Sequence, residues 1–514
     1  MSKYNLKSVI KNQSLLEDLG SFINGKWIKE TSAGTFTVTD PSTKKDSVLA
    51  TIPNLSSNEV DFAIDNGHKE FYNYKATTNI YRSSQLMKLY NLIMENKDDL
   101  ARLVVLENGK SLFDATSEIN YGASYFKYYA EYITTQGATD VMIQPSNPNN
   151  RIFTKKCPVG LVSIITPWNF PFAMITRKLS VALAVGCTAV IKPDAQTPLS
   201  AIALVKLIEQ SGYAPGVVNL LVASNEYTPE FGLKLCESPK IKKLTFTGST
   251  RVGKILMQQS SNTLKKLSFE LGGNAPFIVC DNVKNIEYVV DHAIAAKFRG
   301  LGQTCVCANT FYLHEKVLPE FIKVLKPKIE AFKIGHGLDE STTHGSLINL
   351  GAVNKTKEHV EDAILKGAKV VIPGGSLPTL GENFYAPTVL TNVSLDSKVC
   401  TDETFGPLMA IVSYNDLEKV IEKVNNNSVG LASYVFNDDI NELFYISEQL
   451  ESGMVSCNTG LFSDVNLPFG GVKESGFGRE GSIFGLDDFT VIKSMILGLQ
   501  PVKKWYIKTS FKSK

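Results

Sequence analysis

Residues 161–192 decide the fold and read LVSIITPWNFPFAMITRKLSVALAVGCTAVIK. The apolar run Leu161–Thr166 predicts a buried strand, which Pro167 ends. A helical pattern follows over 173–184, and the apolar run at 189–192 predicts a second buried strand. A strand, a helix and a strand in so short a stretch predict a βαβ unit with two parallel strands.

The same alternation continues towards the C terminus. Strands are predicted at 217–221, 243–247 and 267–270, with helices over 200–211 and from about 251. Such a pattern predicts a parallel sheet, and a parallel sheet binds ligands at the carboxyl ends of its strands. The first candidate positions are therefore the strand ends at Thr166, Lys192, Thr247 and Glu270.

The rest of the chain predicts a second α/β region and a helical segment upstream. Residues 22–27, FINGKW, predict a hairpin, because Asn-Gly suits a tight turn with two positive φ angles. Residues 58–132 are predicted to be helical. A second α/β pattern begins at Asp281, so we expect the chain to divide near residue 272.

Composition excludes several classes of protein. The 514 residues carry 53 basic and 51 acidic side chains, a net charge of +2, which gives no support for a nucleic-acid or anionic-membrane partner. The eight cysteines have no spacing typical of disulfide frameworks or zinc, so we expect no metal. No signal peptide or membrane span is evident, and a cytoplasmic protein is expected. The basic tail 501–514 is predicted to be solvated.

The segment Gly248–Gly253 follows a predicted strand and opens a helix. Free amides at a helix N terminus attract phosphate, and glycine lets the backbone approach it. With Lys254 the segment nearly matches a P-loop, but Ile255 stands where Ser or Thr ligates Mg²⁺, which argues against a nucleotidase. A purely structural turn is about equally consistent with this segment alone.

Cys305 follows the glycine-rich run Gly300-Leu-Gly-Gln-Thr304. An accessible thiol beside bare backbone amides is what a nucleophile with an oxyanion site requires. A small buried residue is the alternative, and it is the better interpretation for Cys157, Cys187, Cys236, Cys280, Cys400 and Cys457.

Two other polar residues follow strands of the predicted sheet. Glu270 is placed to act as a base towards the thiol, and Asn169 to donate to an oxyanion. A surface carboxylate or helix cap is the alternative for Glu270, and a turn residue is the alternative for Asn169.

Six motifs, taken together and in order, resemble the aldehyde dehydrogenase superfamily over about residues 22–497. They are Pro167–Pro171, Gly248–Gly253, Glu270–Gly273, Gly302–Cys305, Glu403–Pro407 and Pro468–Lys473. The resemblance implies an α/β fold with a Rossmann-like parallel-sheet cofactor domain, a second α/β catalytic domain and a small β oligomerisation flap. The implied boundaries are 1–135 with 161–272 for the cofactor domain, 273–473 for the catalytic domain, and 136–160 with 474–514 for oligomerisation and bridging.

The resemblance also implies the chemistry. Cys305 attacks an aldehyde, Asn169 and the Cys305 amide hold the oxyanion, oxidation by a nicotinamide cofactor leaves a thioester, and Glu270 activates the water that releases the acid. The implied cofactor residues are Thr166, Trp168, Lys192, Ala195, Gly248, Ser249, Gly253, Leu271, Glu403 and Phe405. Members that prefer NAD usually carry an acid at the position of Ala195, so NADP is expected to be accepted, with Asp194 as a competing influence.

The local sequences MITRK and KFRGLGQTCVCAN resemble succinate-semialdehyde dehydrogenases in particular. In that family the positions of Arg177, Arg299 and Ser463 grip the distal carboxylate, which implies succinate semialdehyde as substrate, as in 4-aminobutyrate (GABA) degradation. The residues alone leave open that each arginine pairs with a structural acid.

Several alternatives accompany this interpretation. Glutarate semialdehyde or another short aldehyde fits the same chemistry, and a cysteine hydrolase is a distant alternative that needs no dinucleotide. Cys307 is implied as a redox partner of Cys305, although a spectator thiol is equally consistent. A homodimer or homotetramer is implied by the resemblance.

Overall fold

The computed structural model describes residues 4–43, 47–135 and 141–500. The predicted solvated tail at 501–514 and part of the predicted flap, 136–140, lie outside these residues.

The helices are α1 (Leu6–Val9), α2 (Ser57–Tyr74), α3 (Asn79–Glu95), α4 (Lys97–Asn108), α5 (Leu112–Thr135), α6 (Ala173–Val185), α7 (Leu199–Ser211), α8 (Thr228–Glu237), α9 (Thr250–Ser260), α10 (Ile286–Phe298), α11 (Leu318–Glu330), α12 (Leu350–Leu365), α13 (Lys398–Thr401), α14 (Leu417–Asn425), α15 (Ile440–Gln449) and α16 (Gly485–Phe489). Short 3-10 helices span Gln13–Leu16, Ser261–Thr263 and Arg299–Gly302.

The strands are β1 (Ser21–Ile23), β2 (Lys26–Ile28), β3 (Thr35–Thr39), β4 (Val48–Pro53), β5 (Val141–Ile143), β6 (Asn150–Pro158), β7 (Leu161–Ile165), β8 (Thr188–Lys192), β9 (Val218–Leu220), β10 (Ile241–Thr247), β11 (Lys266–Glu270), β12 (Ala275–Val279), β13 (Ala308–His314), β14 (Lys369–Ile372), β15 (Gly375–Ser376), β16 (Tyr385–Ala386), β17 (Thr388–Thr391), β18 (Leu408–Tyr414), β19 (Val429–Gly430), β20 (Ala432–Phe436), β21 (Met454–Cys457), β22 (Val472–Lys473), β23 (Gly476–Phe477) and β24 (Thr490–Gly498).

The predicted parallel sheet is present, with strand order β2-β1-β9-β8-β7-β10-β11-β23. Strands β7 to β11 run parallel, while β1 and β23 add antiparallel edges. The strand order reverses between β7 and β10, and such a reversal opens a crevice at the carboxyl ends of the strands. Thr166, Lys192, Thr247 and Glu270 all lie at that edge, as the strand pattern predicted.

The second sheet has the order β14-β17-β18-β13-β12-β20-β21 and is parallel apart from β14. Its core is rich in aromatic rings, with Phe277 stacked against Phe436 at 4.8 Å between ring centroids. Burial of one such ring stabilises the fold by roughly 1.5–3 kcal/mol. The chain passes from the first sheet to the second between Glu270 and Ala275, while the division into domains stays a prediction.

The described residues also form three two-stranded sheets and a three-stranded sheet of order β24-β6-β5. Strand β24 pairs with β6 along its full length, from Thr490–Pro158 to Gly498–Asn150. Several apolar side chains of this sheet face solvent, among them Val141, Met142, Ile143, Ile492 and Ile496.

The hairpin at residues 22–27 forms as predicted, with φ of 51° at Asn24 and 76° at Gly25. The helical segment upstream of the sheet also forms, as α2, α3, α4 and α5. No helix in the described ranges is long and apolar enough to cross a lipid bilayer.

Candidate active site

The centre of the site is a thiol bonded to a carboxylate. The Cys305 Sγ donates to Glu270 Oε1 at 2.9 Å, which joins the loop after the 3-10 turn to the end of β11. Burial raises the pKa of Cys305 well above its usual value, the charge of Glu270 raises it further, and Arg177 lowers it. The thiol is therefore held protonated next to the group that can accept its proton.

Asn169 is buried and contacts the loop that carries the thiol. Its Nδ2 donates to the backbone carbonyl of Gln303 at 3.0 Å, two residues before the thiol. An amide nitrogen carries two N–H groups, and in the described part of the chain the second has no acceptor. The structure thus brings together the three residues predicted for catalysis, with one donor left for an oxyanion.

The Asn169 loop is fixed by Lys110, which lies between α4 and α5, and by Glu118 of α5. The Lys110 Nζ donates to the Asn169 carbonyl at 2.8 Å and pairs with Glu118 at 2.6 Å. Glu118 in turn accepts from the backbone N–H groups of Phe172 and Ala173. A buried ion pair with these extra hydrogen bonds defines the loop geometry.

Arg177 does not line the cavity that contains Arg299. It is 1% exposed, its Nη2 donates to Glu270 Oε2, and its Nε donates to Glu480 Oε2 at 2.6 Å. The guanidinium also lies over the ring of Phe469. Pairing with acids is the alternative that the sequence left open for this arginine, and its contact with substrate stays a prediction.

Sequence reasoning missed Glu480 and Lys178. The Lys178 Nζ lies 2.5 Å from Glu480 Oε1 and donates to Thr247 at the edge of the sheet. Burial opposes charge on Glu480, yet the two cations beside it lower its pKa overall. Glu480 is 303 residues from Arg177 in the chain, so no local pattern could have paired them.

The structure brings Arg299 and Ser463 together, while their contact with a substrate carboxylate stays a prediction. The Arg299 Nη1 donates to Ser463 Oγ at 2.8 Å, and both residues line a cavity of about 1140 Å³. Among the described residues, no carboxylate lies within 4.0 Å of this guanidinium. The cavity therefore presents an arginine whose charge is not neutralised by an ion pair.

The residues predicted to bind a cofactor surround the sheet edge. Buried Lys192 donates to the Pro193 carbonyl at 3.0 Å, and burial lowers its pKa. The Thr166 hydroxyl next to it is buried without a partner in the described structure. Ser249 caps α9 by accepting from Val252 N–H. The Thr166 hydroxyl and the Lys192 ammonium can bond polar groups of a dinucleotide. The N–H groups at the start of α9 can bind its phosphates.

The far side of the crevice carries Glu403 and an aromatic pair. Glu403 Oε1 accepts from Gly273 N–H at 3.4 Å, and burial raises the pKa of Glu403 to about 7. Phe405 meets Trp168 edge to face, with ring centroids 5.6 Å apart. These groups suit the ribose and ring of a nicotinamide.

The other residues predicted to bind a cofactor have varied surroundings, and their contact with a cofactor stays a prediction. Gly253 faces Leu271, since a Cβ at Gly253 would come within 2.7 Å of the leucine side chain. Gly248 N–H donates to the Glu270 carbonyl at 3.1 Å. Buried Ala195 lines a cavity of about 410 Å³. Asp194 accepts from Gln196 N–H at 2.9 Å.

Cys307 faces away from Glu270. Its Sγ lies 3.5 Å from the Lys297 carbonyl, and both Cys305 and Cys307 are free thiols. A redox pairing between them stays a prediction.

The chain is similar to known proteins over nearly its whole length. Residues 27–495 match the model of the aldehyde dehydrogenase family. A protein from Saccharomyces cerevisiae, named succinate-semialdehyde dehydrogenase with NADP(+) specified, is 53% identical over 98% of this chain and 99% of its own. A glutarate-semialdehyde dehydrogenase from Pseudomonas aeruginosa is 43% identical, over 93% of this chain and 97% of its own. The crystal structure of succinate-semialdehyde dehydrogenase from Burkholderia pseudomallei has a TM-score of 0.92 and 41% identity, covering 95% of this chain and 100% of that one.

Proposed function

Since this chain belongs to the aldehyde dehydrogenase family and is an NAD(P)-dependent enzyme, we propose that it oxidises succinate semialdehyde to succinate. This is the oxidation step of 4-aminobutyrate degradation. The relative from Saccharomyces cerevisiae, whose name specifies this substrate and NADP(+), supports the proposal.

The observation that supports succinate semialdehyde as the substrate is the charge of Arg299, which no carboxylate among the described residues neutralises. Its described partner is the Ser463 hydroxyl, at 2.8 Å. A guanidinium that lines a cavity and belongs to the turn preceding the nucleophile in the chain favours a substrate with a carboxylate at its far end. Arg177 pairs with Glu270 and Glu480 and does not line this cavity, so Arg299 is the arginine that favours a carboxylate here. An aldehyde without an acid leaves the N–H donors of Arg299 unpaired, which costs binding energy.

The first chemical step uses the three central residues. Glu270 takes the proton of the Cys305 thiol along their 2.9 Å hydrogen bond, and the thiolate adds to the aldehyde carbon. The free N–H of Asn169 and the backbone N–H of Cys305 hold the resulting oxyanion. When bound, the nicotinamide cofactor accepts a hydride; Lys192, Ser249 and Glu403 would hold its ribose and phosphate groups.

The second step releases the acid. Cys305 now carries the acyl group as a thioester, and Glu270 passes the proton it took from the thiol to solvent. Glu270 then takes a proton from water as the water oxygen bonds to the acyl carbon; the C–S bond breaks, the acid is released and Cys305 leaves as the thiolate. Arg177 holds Glu270 in place through Oε2 and leaves Oε1 towards the thiol. The same carboxylate therefore acts in both steps.

Replacement of Arg299 tests the substrate. A charge-assisted hydrogen bond is worth about 1.5–3 kcal/mol, so R299Q should raise KM for succinate semialdehyde by about ten- to a hundredfold. Butanal, which has no carboxylate, should be oxidised as before, and R102Q, at an arginine of α4 paired with Asp99, serves as the control variant. Equal losses on both aldehydes would contradict recognition of a carboxylate.

Glutarate semialdehyde is a second candidate substrate. The relative from Pseudomonas aeruginosa carries this name, and a cavity of about 1140 Å³ has room for one more methylene. Values of kcat/KM for the two semialdehydes, measured side by side with NADP and with NAD, discriminate between them.

The proposal includes a homo-oligomer, either dimer or tetramer, in the cytoplasm. Exposed apolar side chains on β5, β6 and β24 support assembly, since large exposed apolar patches usually mark protein contacts.

A further inference from the structure

The turn that carries Arg299 has an unfavourable backbone conformation. Residues Arg299–Gly302 form a 3-10 turn in which φ is 54° at Gly300 and 53° at Leu301. Left-handed φ values suit glycine but are unfavourable for leucine, whose Cβ crowds the backbone. The turn therefore depends on contacts from outside itself.

Asp114, in the first turn of α5, supplies one of these contacts. Its Oδ2 accepts the Gly300 N–H at 3.1 Å. The same oxygen accepts the Ser111 hydroxyl at 3.2 Å, and Ser111 Oγ accepts the Asp114 N–H at 3.2 Å. The Gly300 carbonyl accepts from Gln303 Nε2 at 3.1 Å. Both polar groups of Gly300 are thus held, and the N–H is held by a carboxylate fixed on a helix.

The charge of Asp114 and its hydrogen bond have opposite effects on binding of a substrate carboxylate. Asp114 lines the same cavity as Arg299 and Ser463, so its negative charge repels a substrate carboxylate. Its hydrogen bond to Gly300, in contrast, fixes the residue next to Arg299. If only charge mattered, loss of this acid would improve binding of the semialdehyde; if position matters more, the loss weakens binding.

We propose that Asp114 is a positioning residue that sets specificity for carboxylate-bearing aldehydes, by holding the Arg299–Gly302 turn through Gly300. The proposal rests on the proposed function. It adds a specificity determinant on α5 that acts through the position of Arg299 and whose own charge opposes the substrate charge.

Two substitutions separate position from charge. D114A removes both the hydrogen bond and the charge, whereas D114N removes the charge and keeps an acceptor for Gly300 N–H. We expect D114A to raise KM for succinate semialdehyde about five- to tenfold, with kcat and the oxidation of butanal unchanged. D114N should have a KM equal to or below that of the wild type. D464N is the charge control, because Asp464 lines the same cavity but bonds Asn466 instead of the turn.

Steady-state kinetics of these variants on succinate semialdehyde and butanal decides the matter. A lower KM in D114A would show that the charge dominates, and equal losses on both aldehydes would show general damage; either result overturns the proposal. A raised KM in D114N or in D464N also overturns it. A wild type that does not prefer succinate semialdehyde to butanal would contradict the proposed function itself. A wild type that has this preference, together with a D114A variant that keeps it unchanged, would contradict only the role of Asp114.

Discussion

Cys305 and Cys307 lie on one loop but have different neighbours. Cys305 donates to the carboxylate of Glu270, whereas Cys307 lies against the backbone carbonyl of Lys297. We expect C305A to abolish aldehyde oxidation, because no other thiol is bonded to the base in the described structure. C307A should keep most of the activity. Reduced cofactor formed per second, measured by absorbance, tests both variants, and comparable residual rates would contradict the assignment of the nucleophile.

We expect Glu403 to make cofactor binding depend on pH. Burial raises its pKa to about 7, so the carboxyl group is neutral below that pH and charged above it. A neutral carboxyl is a weaker acceptor for ribose hydroxyls than a carboxylate. KM for the cofactor should therefore rise as pH falls from about 8 to about 6. In E403Q this pH dependence should be lost; an unchanged slope would assign the titration to another group.

At the residue scale, the sequence predicted the central residues but not their ionic surroundings. Glycine spacing and strand ends pointed to Cys305, Glu270 and Asn169, because local pattern fixes where a loop follows a strand. The bonds of Arg177 to Glu270 and Glu480 cross 93 and 303 positions of the chain. Such pairs depend on how distant segments of the chain pack together, and the spacing of apolar residues along one helix or strand carries no information about that packing.

At the element scale, the β8–α7 connection bears on the choice of cofactor. Ala195 on this connection is buried and lines a cavity, and buried Lys192 precedes it. A195E should shift preference towards NAD, because the new carboxylate repels a 2′-phosphate and accepts from ribose hydroxyls. The expected change is about 1–2 kcal/mol, or roughly tenfold in the ratio of the two efficiencies.

The ratio of kcat/KM with NADP to kcat/KM with NAD is the quantity to measure, in the wild type and in A195E. Asp194→Asn serves as the matched control, since its carboxylate accepts from Gln196 N–H and an amide oxygen can do the same. A ratio that does not move in A195E, or a wild type that rejects NADP, would contradict the expectation.

Helices and parallel strands were the most predictable elements. Periodicity and turn residues identified β7, β8, β10 and β11 to within a residue or two, because these strands are buried apolar runs. Strand β23 was not predicted. It consists of Gly476 and Phe477 alone and pairs with the edge of β11, and two residues carry no periodicity that identifies a strand.

At the scale of the whole molecule, the sheet formed by β5, β6 and β24 bears on assembly. Ile492 and Ile496 of β24 are 68% and 67% exposed. If this surface packs against another copy, lysine at both positions should separate the copies, because burial of two unpaired charges costs several kcal/mol. Sedimentation velocity should then show a smaller particle than for the wild type. The same substitutions at Val370 and Leu380, exposed apolar residues elsewhere, provide the control, and an unchanged mass would exclude this sheet as the interface.

The pairing of β11 with β23 has a consequence for synthesis of the protein on the ribosome. Leu271 N–H donates to the Ser475 carbonyl, and Glu480 supplies the acid between Arg177 and Lys178. A nascent chain that has produced the residues up to β21 still lacks strand β23 and Glu480. Arg177 and Lys178 then have one carboxylate fewer to pair with. Domains fold as they emerge from the ribosome, N-terminal parts first. The ion pairs around Glu270 are complete, however, only when Glu480 has left the exit tunnel and contacts Arg177. We therefore expect a nascent chain that has not yet produced Glu480 to lack activity, because Arg177 and Lys178 are without this carboxylate.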